Sequence, residues 1–321
     1  MSGADPARLD ALADRLLRAR GAVPVEALKL QLACSEEQLV AWADELRDLG
    51  APLVETADGY VLELDDALDA AAIRAALRAR AAVTVKVCRV CASTGVEVRK
   101  LTPPALCVAE AQTAGRGRRG TEWRQTFGAG LALSLAAPAP RGRLDPLAIA
   151  LAVAAAGCLD AAGYAGIQIK WPNDLYVRGA KLGGLMVEME GAGRGPLCLG
   201  LGLNVHAAPT LSGRRTVALA ELGGPPPGRN RLTAMLAAVL MDALQRYGRD
   251  GFTVFAAEFA ARDWLANRRV ALRDDGESIE GVARGIDGFG ALVLDSGEGR
   301  RLCRVGEVTR VAPMETTWAG A

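Results

Sequence analysis

The stretch Glu110-Ala-Gln-Thr-Ala-Gly115-Arg-Gly-Arg-Arg-Gly120-Thr-Glu-Trp123 decides how this chain is read. Glycines at 115, 117 and 120 let the backbone approach a ligand closely, because no Cβ stands in the way. Between them Arg116, Arg118 and Arg119 carry planar, fork-shaped donors that match phosphate or carboxylate oxygens. The spacing is neither GxGxxG nor GxxxxGK[ST], so an anionic nucleotide would be held outside a dinucleotide-binding βαβ unit or a P-loop. Taken alone, the loop also fits a flexible basic surface segment that touches nucleic acid.

A second stretch narrows the choice. Lys170-Trp-Pro-Asn173-Asp174-Leu175 is followed by Arg178-Gly-Ala-Lys181-Leu-Gly-Gly184-Leu-Met-Val-Glu188. Only five of the 38 basic residues are lysines and only four residues are asparagines, a skew that a coding bias towards Arg, Ala and Gly explains. Two of those lysines and one asparagine lie within Lys170–Lys181, which raises the expectation of a specific chemical demand. Asp174 could hold a Mg²⁺ that bridges phosphates, and Lys181 could place a point charge on an acyl-phosphoryl transfer. A solvated ion pair is the plainer reading of Lys170 and Asp174. Gly200-Leu-Gly202-Leu-Asn204 then offers another strand end carrying a rare Asn.

Working outward, the 321 residues are 50% hydrophobic and 23% charged, with 38 Lys+Arg against 37 Asp+Glu. That balance excludes disordered and fibrous classes and suits about two globular domains. The longest apolar run, Pro146 to Leu159, lies between two aspartates and falls short of the roughly 20 residues of a membrane-spanning helix. It is expected to be a buried helix, with no membrane association. Met1-Ser-Gly-Ala-Asp-Pro6 has neither a basic nor an apolar leader region, so a cytoplasmic location is expected. Cysteines at 34, 88, 91, 107, 158, 198 and 303 sit mostly in apolar runs, as reduced buried thiols do. Cys88-Arg-Val-Cys91 is a lone CxxC, and with His206 the single histidine, a zinc site lacks further ligands; strand cysteines are expected.

Residues 1–66 read as three helices and a hairpin. Leu9, Leu12, Ala13, Leu16 and Leu17 share one helical face that Gly21 ends, and a short helix follows Pro24. Ser35-Glu36-Glu37-Gln38 has the form of a capping box, continued by Leu39, Trp42, Leu46 and Leu49. Asp58-Gly59 turns between Leu53–Thr56 and Tyr60–Glu63. This is the pattern of a winged helix-turn-helix, whose third helix would enter DNA. Here that helix sets Glu36, Glu37, Asp44, Glu45 and Asp48 against Arg47, within a segment (1–65) of thirteen acidic and six basic residues. DNA binding is therefore disfavoured, and a packing or dimer-control role is expected ahead of it.

Residues 65–80 read as an alanine-rich helical connector, and Val83–Val90 as the first strand of a catalytic domain over 81–268. Within it, strands (Ala105–Ala109, Leu131–Leu135, Ile167–Lys170, Leu185–Met189, Leu197–Leu201) mix with helices (Leu147–Ala162, Arg231–Arg246, Val254–Ala266), an α/β or α+β core. Residues 269–314 read as short strands turning at Asp274-Asp275-Gly276, Asp287-Gly288-Phe289-Gly290 and Ser296-Gly297-Glu298-Gly299, a small SH3-like barrel. Residues 223–228, Gly-Gly-Pro-Pro-Pro-Gly, read as a surface loop.

Taken in order, the winged segment, the Gly115–Gly120 loop with Trp123, Lys170–Leu175, Lys181-Leu-Gly-Gly184, Gly202-Leu-Asn204 and Arg284-Gly-Ile-Asp287 resemble the biotin protein ligases of the bifunctional type, with an N-terminal winged helix. The resemblance covers nearly the whole chain. It implies a central mixed-sheet catalytic domain of biotin/lipoate ligase type. It also implies that biotin and ATP, with Mg²⁺, form biotinyl-5′-AMP, which then acylates a lysine on the biotin carrier domain of acetyl-CoA carboxylase or a related carboxylase. By the same resemblance, Ser93, Thr94 and Gly95 with Gln112 border the ureido ring, and Arg116-Gly117-Arg118 closes over carboxyl and phosphate. Lys181 contacts the reacting oxygens, with Arg118 as its catalytic companion. Gly115, Arg119, Trp123, Asn173, Asn204 and Arg284 line the nucleotide side, and Asp174 faces Mg²⁺. A homodimer through the central sheet is expected by analogy. A lipoate or octanoyl ligase and a biotin-sensing repressor are the neighbouring readings.

The chemistry suits the residue types. A carboxylate attacking an α-phosphate brings two anions together, so cations and positioning matter more than a general base. The acceptor amine then attacks a mixed anhydride directly, and no cysteine need act. Three departures stand out: Ala92-Ser93-Thr94-Gly95 replaces the family's Asp-Ser-Thr-Asn, the third helix is acidic, and Gly183 stands where Ala is common, a change expected to be tolerated.

Overall fold

Leu9, Leu12, Ala13 and Leu16 are each at most 1% exposed in the computed structural model, so the helical periodicity of the first segment marks a real inner face. The structure describes residues 5–19, 21–77, 82–140, 143–189, 195–211, 213–223, 228–274 and 277–312. The Asp275-Gly276 part of one expected turn, most of the 223–228 loop, residues 78–80 of the connector and the far ends of the chain lie outside the described residues.

In chain order, α1 (Pro6–Ala19), α2 (Val25–Leu32) and α3 (Glu36–Asp48) precede the antiparallel hairpin of β1 (Leu53–Thr56) and β2 (Gly59–Leu62). The expected capping box forms: Ser35 Oγ accepts from Gln38 N at 3.2 Å and Gln38 Oε1 from Ser35 N at 2.9 Å. A connector helix α4 (Ala70–Leu77) leads to β3 (Thr84–Cys91), α5 (Thr94–Arg99), β4 (Ala105–Gln112), β5 (Gly130–Ala137) and α6 (Leu147–Ala161). There follow β6 (Gln168–Lys170), β7 (Asp174–Val177), β8 (Ala180–Met189), β9 (Leu197–Asn204), α7 (Arg229–Asp250) and α8 (Thr253–Arg262). The chain ends in β10 (Arg269–Asp274), β11 (Glu277–Ile286), β12 (Leu292–Ser296), β13 (Gly299–Cys303) and β14 (Glu307–Val311).

The chain divides into two units, Met1–Ala139 with Leu182–Ala238, and Pro140–Lys181 with Val239–Ala321, so β8 and α7 each begin in one and end in the other. In the first unit the strands run in the order β3-β4-β5-β9-β8, with β3 and β4 parallel and the rest antiparallel. This is the central mixed sheet. Strands β4 and β5 are buried along almost their full length, which explains their unbroken apolar sequences. The helical segment is not a separate body: one hydrophobic core joins Leu12, Leu16, Leu39 and Leu46 to Val90 of β3, Ala111 of β4 and Phe127.

In the second unit, α6 buries nine of its residues, as its apolar sequence predicts. Among the described residues no helix is long and apolar enough to cross a membrane. Strands β6 and β7 form an antiparallel pair, and the C-terminal strands form a five-stranded sheet in the order β13-β12-β11-β10-β14. Helix α8 stops at Arg262 rather than running to Ala266. Asp263 turns to an extended ψ of 106°, and Trp264 N donates to Ile169 O at 3.0 Å, so this stretch pairs with β6 instead of continuing the helix. Strand β7 and helix α5 are too short for periodicity to announce, being four and six residues long. Cys88 and Cys91 both lie in β3 as free, buried thiols.

Candidate active site

The parallel register of β3 and β4 sets Cys91 opposite Gln112, so the residues just beyond Cys91 meet the end of β4. There Ser93 caps α5, its Oγ accepting from Gly95 N at 3.3 Å. Gln112 Oε1 accepts from Thr94 N at 2.7 Å and from Thr94 Oγ1 at 3.2 Å. The structure thus brings Ser93, Thr94, Gly95 and Gln112 into one polar turn. Sequence reading missed a fifth member: Ser134 of β5, whose Oγ lies 2.8 Å from Thr94 Oγ1. The signal was available, since Ser134 is the one polar residue in Gly130–Ala137 and a buried hydroxyl needs a partner. A Cβ on Gly95 would meet only ordinary contacts, with Ser93 Oγ at 3.5 Å and with Cys198 Sγ and Ser134 Oγ each at 3.9 Å.

From Gln112 the chain enters the Gly-Arg loop. Gly117 N donates to Thr121 O at 2.6 Å, and Thr121 Oγ1 to Arg118 O at 2.9 Å, closing a single 3-10 turn over Arg118–Gly120. Arg119 takes a left-handed φ of 54° inside that turn. Trp123 N donates back to Gly115 O at 3.0 Å, so the loop's two ends are tied together. Its backbone bonds are internal, and the arginines Arg116 and Arg119 are exposed.

Trp123 lies against β9. A Cβ on Gly202 would sit 2.4–2.7 Å from three indole atoms, so glycine is what lets the ring lie on the strand. Gln125, also missed from sequence, orients the ring: its Oε1 accepts from Trp123 Nε1 at 3.3 Å while its Nε2 donates to the carbonyls of Ala109 and Glu110 at 3.2 and 2.9 Å. Asn204, buried at the end of β9, donates from Nδ2 to Val217 O at 3.1 Å. Gly183 proves to be more than a tolerated variant: an alanine Cβ there would fall 2.4 Å from Gly202 O.

Behind this face sits a buried ionic group. Glu110 and Arg229 are both 0% exposed and meet at 2.6 Å; Glu110 Oε1 also accepts from Leu68 N at 2.6 Å. Arg229 donates further to Asp66 O, and its backbone N to Asp66 Oδ2 at 2.8 Å. A glutamate in the apolar run Ala105–Gln112 was the sequence signal for such a pair.

The remaining expected residues belong to the second unit. Lys181 Nζ and Asp174 Oδ1 pair at 2.7 Å, both more than four-fifths buried. Asn173 N donates to Lys170 O at 3.2 Å, forming the turn between β6 and β7. Lys170 donates to Val308 O at 3.0 Å, and its ammonium lies 5.6 Å from the Tyr176 ring centroid. Trp171 donates to Gly290 O at 2.9 Å. Arg284 is held by its own sheet, through Asp295 Oδ2 at 2.8 Å and Asn267 Oδ1 at 2.7 Å. Among the described residues no group of three His, Cys, Asp or Glu side chains is placed to hold a metal.

Chemically, the first unit offers a polar head-group turn next to a cationic loop and a flat aromatic face. Comparison with known proteins gives this arrangement a context. Residues 84–204 match the model of the biotin/lipoate A/B protein ligase family, and residues 266–310 that of the biotin protein ligase C terminal domain. The bifunctional ligase/repressor BirA of Escherichia coli is 34% identical over 59% of this chain and 61% of its own length, so the chain spans about three-fifths of that relative. The biotin–[acetyl-CoA-carboxylase] ligase of Mycobacterium tuberculosis is 34% identical over 64% of this chain and 79% of its own. A solved biotin protein ligase from Aquifex aeolicus, in complex with biotin and ATP, shares the fold with a TM-score of 0.64 at 22% identity, covering 71% of this chain and 99% of that one.

Proposed function

The chain belongs to the biotin protein ligase family, and from that premise we propose that it joins biotin to ATP and passes the biotinyl group to a lysine on a carboxylase's carrier domain. The observation that carries this reading is the Thr94–Gln112–Ser134 cluster beside the closed Gly-Arg loop. A small cyclic urea needs several fixed donors and acceptors at one end of its pocket, and its carboxylate needs cations at the other. Ser93, Thr94 and Gln112 supply the first; Arg116 and Arg118 supply the second.

In the first step the biotin carboxylate oxygen attacks the α-phosphorus, pyrophosphate leaves, and biotinyl-5′-AMP forms. Both reactants are anionic, so the residues act by neutralising charge and fixing geometry. Arg116 and Arg118 hold the carboxylate and phosphate, Gly115, Gly117 and Arg119 shape the loop, and Lys181 places its ammonium on the reacting oxygens. Trp123, Asn173, Asn204 and Arg284 take the nucleotide side, for which Arg284 would exchange its present partners. Asp174 would offer Mg²⁺ a single protein oxygen, and the ion would neutralise charge on the departing pyrophosphate. In the second step the carrier lysine, as the free amine, attacks the acyl carbon and AMP leaves. The loop covers the anhydride and keeps water from it meanwhile.

By the same reading residues 1–66 are a winged helix, 81–268 the catalytic domain and 269–314 an SH3-like barrel. The acidic α3 turns the winged helix towards packing rather than DNA. The test is transfer of labelled biotin to a biotin carrier domain with ATP and Mg²⁺, beside Lys181→Ala. Label that depends on ATP and on Lys181 supports the ligase. Transfer of lipoate instead would move the substrate assignment, and biotin binding without transfer would favour a sensor.

A further inference from the structure

We infer that Asp10, on the first N-terminal helix, is a positioning residue for the biotin side of the site, an inference that rests on the ligase reading above. Asp10 Oδ1 accepts from two consecutive backbone N–H groups of β3, those of Arg89 at 2.5 Å and Val90 at 3.1 Å. Strand β3 stands at the outer edge of the sheet, and successive N–H groups of a regular strand point to opposite sides. Here both reach one carboxylate oxygen, so Asp10 bridges two consecutive peptide units at 89–90. This anchor comes immediately before Cys91, whose O accepts from Thr113 N at 3.0 Å, and before the Ser93-Thr94 turn. The helix therefore fixes the strand end that aims Ser93 and Thr94 at Gln112.

The surroundings keep this contact in place. Asp14, one turn along α1, meets Arg89 Nε at 3.2 Å, and Arg89 reaches on to Leu68 O at 2.5 Å and Glu110 Oε1 at 3.5 Å. Val90 and Ala111, which flank the site residues in β3 and β4, are part of the core of the helical segment. At the other end of that segment Leu49 O accepts from Phe127 N at 2.7 Å, four residues beyond Trp123. The N-terminal helices thus hold both strands that carry the proposed biotin contacts. Asp10 bonds directly to the strand backbone that leads into the turn.

The experiment uses the full-length chain and its Asp10→Ala and Asp10→Asn variants. Biotin affinity is measured by calorimetry, the KM for ATP by biotin-dependent pyrophosphate exchange, and folding by thermal melting. Asp10→Ala should weaken biotin binding by about tenfold while moving the KM for ATP by less than about twofold, and Asp10→Asn, which keeps an oxygen acceptor, should recover most of the affinity. Equal biotin affinity in wild type and Asp10→Ala would overturn the inference while leaving the ligase reading intact. Parallel losses for biotin and ATP, with no recovery in Asp10→Asn, would overturn it in favour of a general structural role. If Asp10→Ala does not fold, Asp10→Ser, whose hydroxyl is too short to reach both N–H groups, takes its place: a biotin affinity below wild type at an unchanged KM for ATP supports the inference, and wild-type values for both overturn it. Absence of biotin binding by the wild type would overturn the ligase reading itself.

Discussion

Replacing Gly202 by alanine would drive a methyl group into the Trp123 indole. Its Cβ would stand 2.4, 2.6 and 2.7 Å from Cε2, Cζ2 and Cδ2, whereas ordinary contact begins at 3.4 Å. The ring would have to withdraw by about 1 Å, and a rigid indole cannot yield by bending. Nor can it slide without consequence, because Trp123 is tied through its N–H to Gly115 O and through Nε1 to Gln125. Overpacking of this kind costs about 1–3 kcal/mol, which, if it falls on nucleotide binding, raises the KM for ATP about 5- to 150-fold. Biotin-dependent pyrophosphate exchange isolates the first half-reaction and is the assay of choice. Measured on Gly202→Ala, Trp123→Ala and the double variant, it forms a cycle. The methyl group should do little harm once the ring is gone. A KM for Gly202→Ala within about twofold of wild type, or an equal effect in both backgrounds, would refute the reasoning.

Other expectations follow from the same geometry. Glu110→Gln leaves the buried Arg229 guanidinium with Asp66 Oδ2, 3.5 Å from its Nε, in place of the carboxylate that meets it at 2.6 Å, and should cost about 3 kcal/mol of stability; an unchanged denaturant midpoint would contradict this. Burial pushes the Asp263 carboxyl from 3.8 up to about 6, and Asp263 Oδ2 has no hydrogen-bond partner. The folded state then holds this proton more tightly than the unfolded chain, so stability falls as pH rises through that range. Asp263→Asn should remove the fall and melt higher than wild type above about pH 7, by up to about 3 kcal/mol, with no gain below about pH 4. A variant that melts lower at every pH would overturn that account. Arg118→Gly should release the adenylate and label bystander proteins, and retention of the intermediate as long as in wild type, in a chase with unlabelled biotin, would count against the loop's protective role.

Much of the fold was legible because long periodic segments carry their own signal. The faces of α1 and α3, the Ser35 cap, the Asp58-Gly59 turn and the buried α6 all follow from spacing and cap chemistry. The site was legible as motifs but not as contacts. Thr94 meets Gln112 only because β3 and β4 pair in parallel with Cys91 opposite Gln112, a register no local pattern encodes. Gly202 announced a close approach in a strand without saying that Trp123, 79 positions earlier, makes it. Lys170 read as a member of a solvated ion pair, and no local signal told that its ammonium also serves a carbonyl of β14, a contact across more than a hundred residues. Helix α8 ended early for the same kind of reason, a backbone bond to β6 outweighing local helix preference.

The core shared by the N-terminal helices and the sheet bears on how modular this protein is. A gene truncated at the connector, as one would do to obtain a minimal enzyme, would strip Val90, Ala111 and Phe127 of their cover. It would also bare the backbone donors of Arg89 and Val90 on an outermost strand. An uncovered edge flanked by apolar side chains is a template for association, so the shortened product should express as aggregate or pair with itself. Grafting this helical segment onto another ligase, or exchanging it for a basic one to create an operator reader, would for the same reason require the strand-facing side of α1 to travel with it.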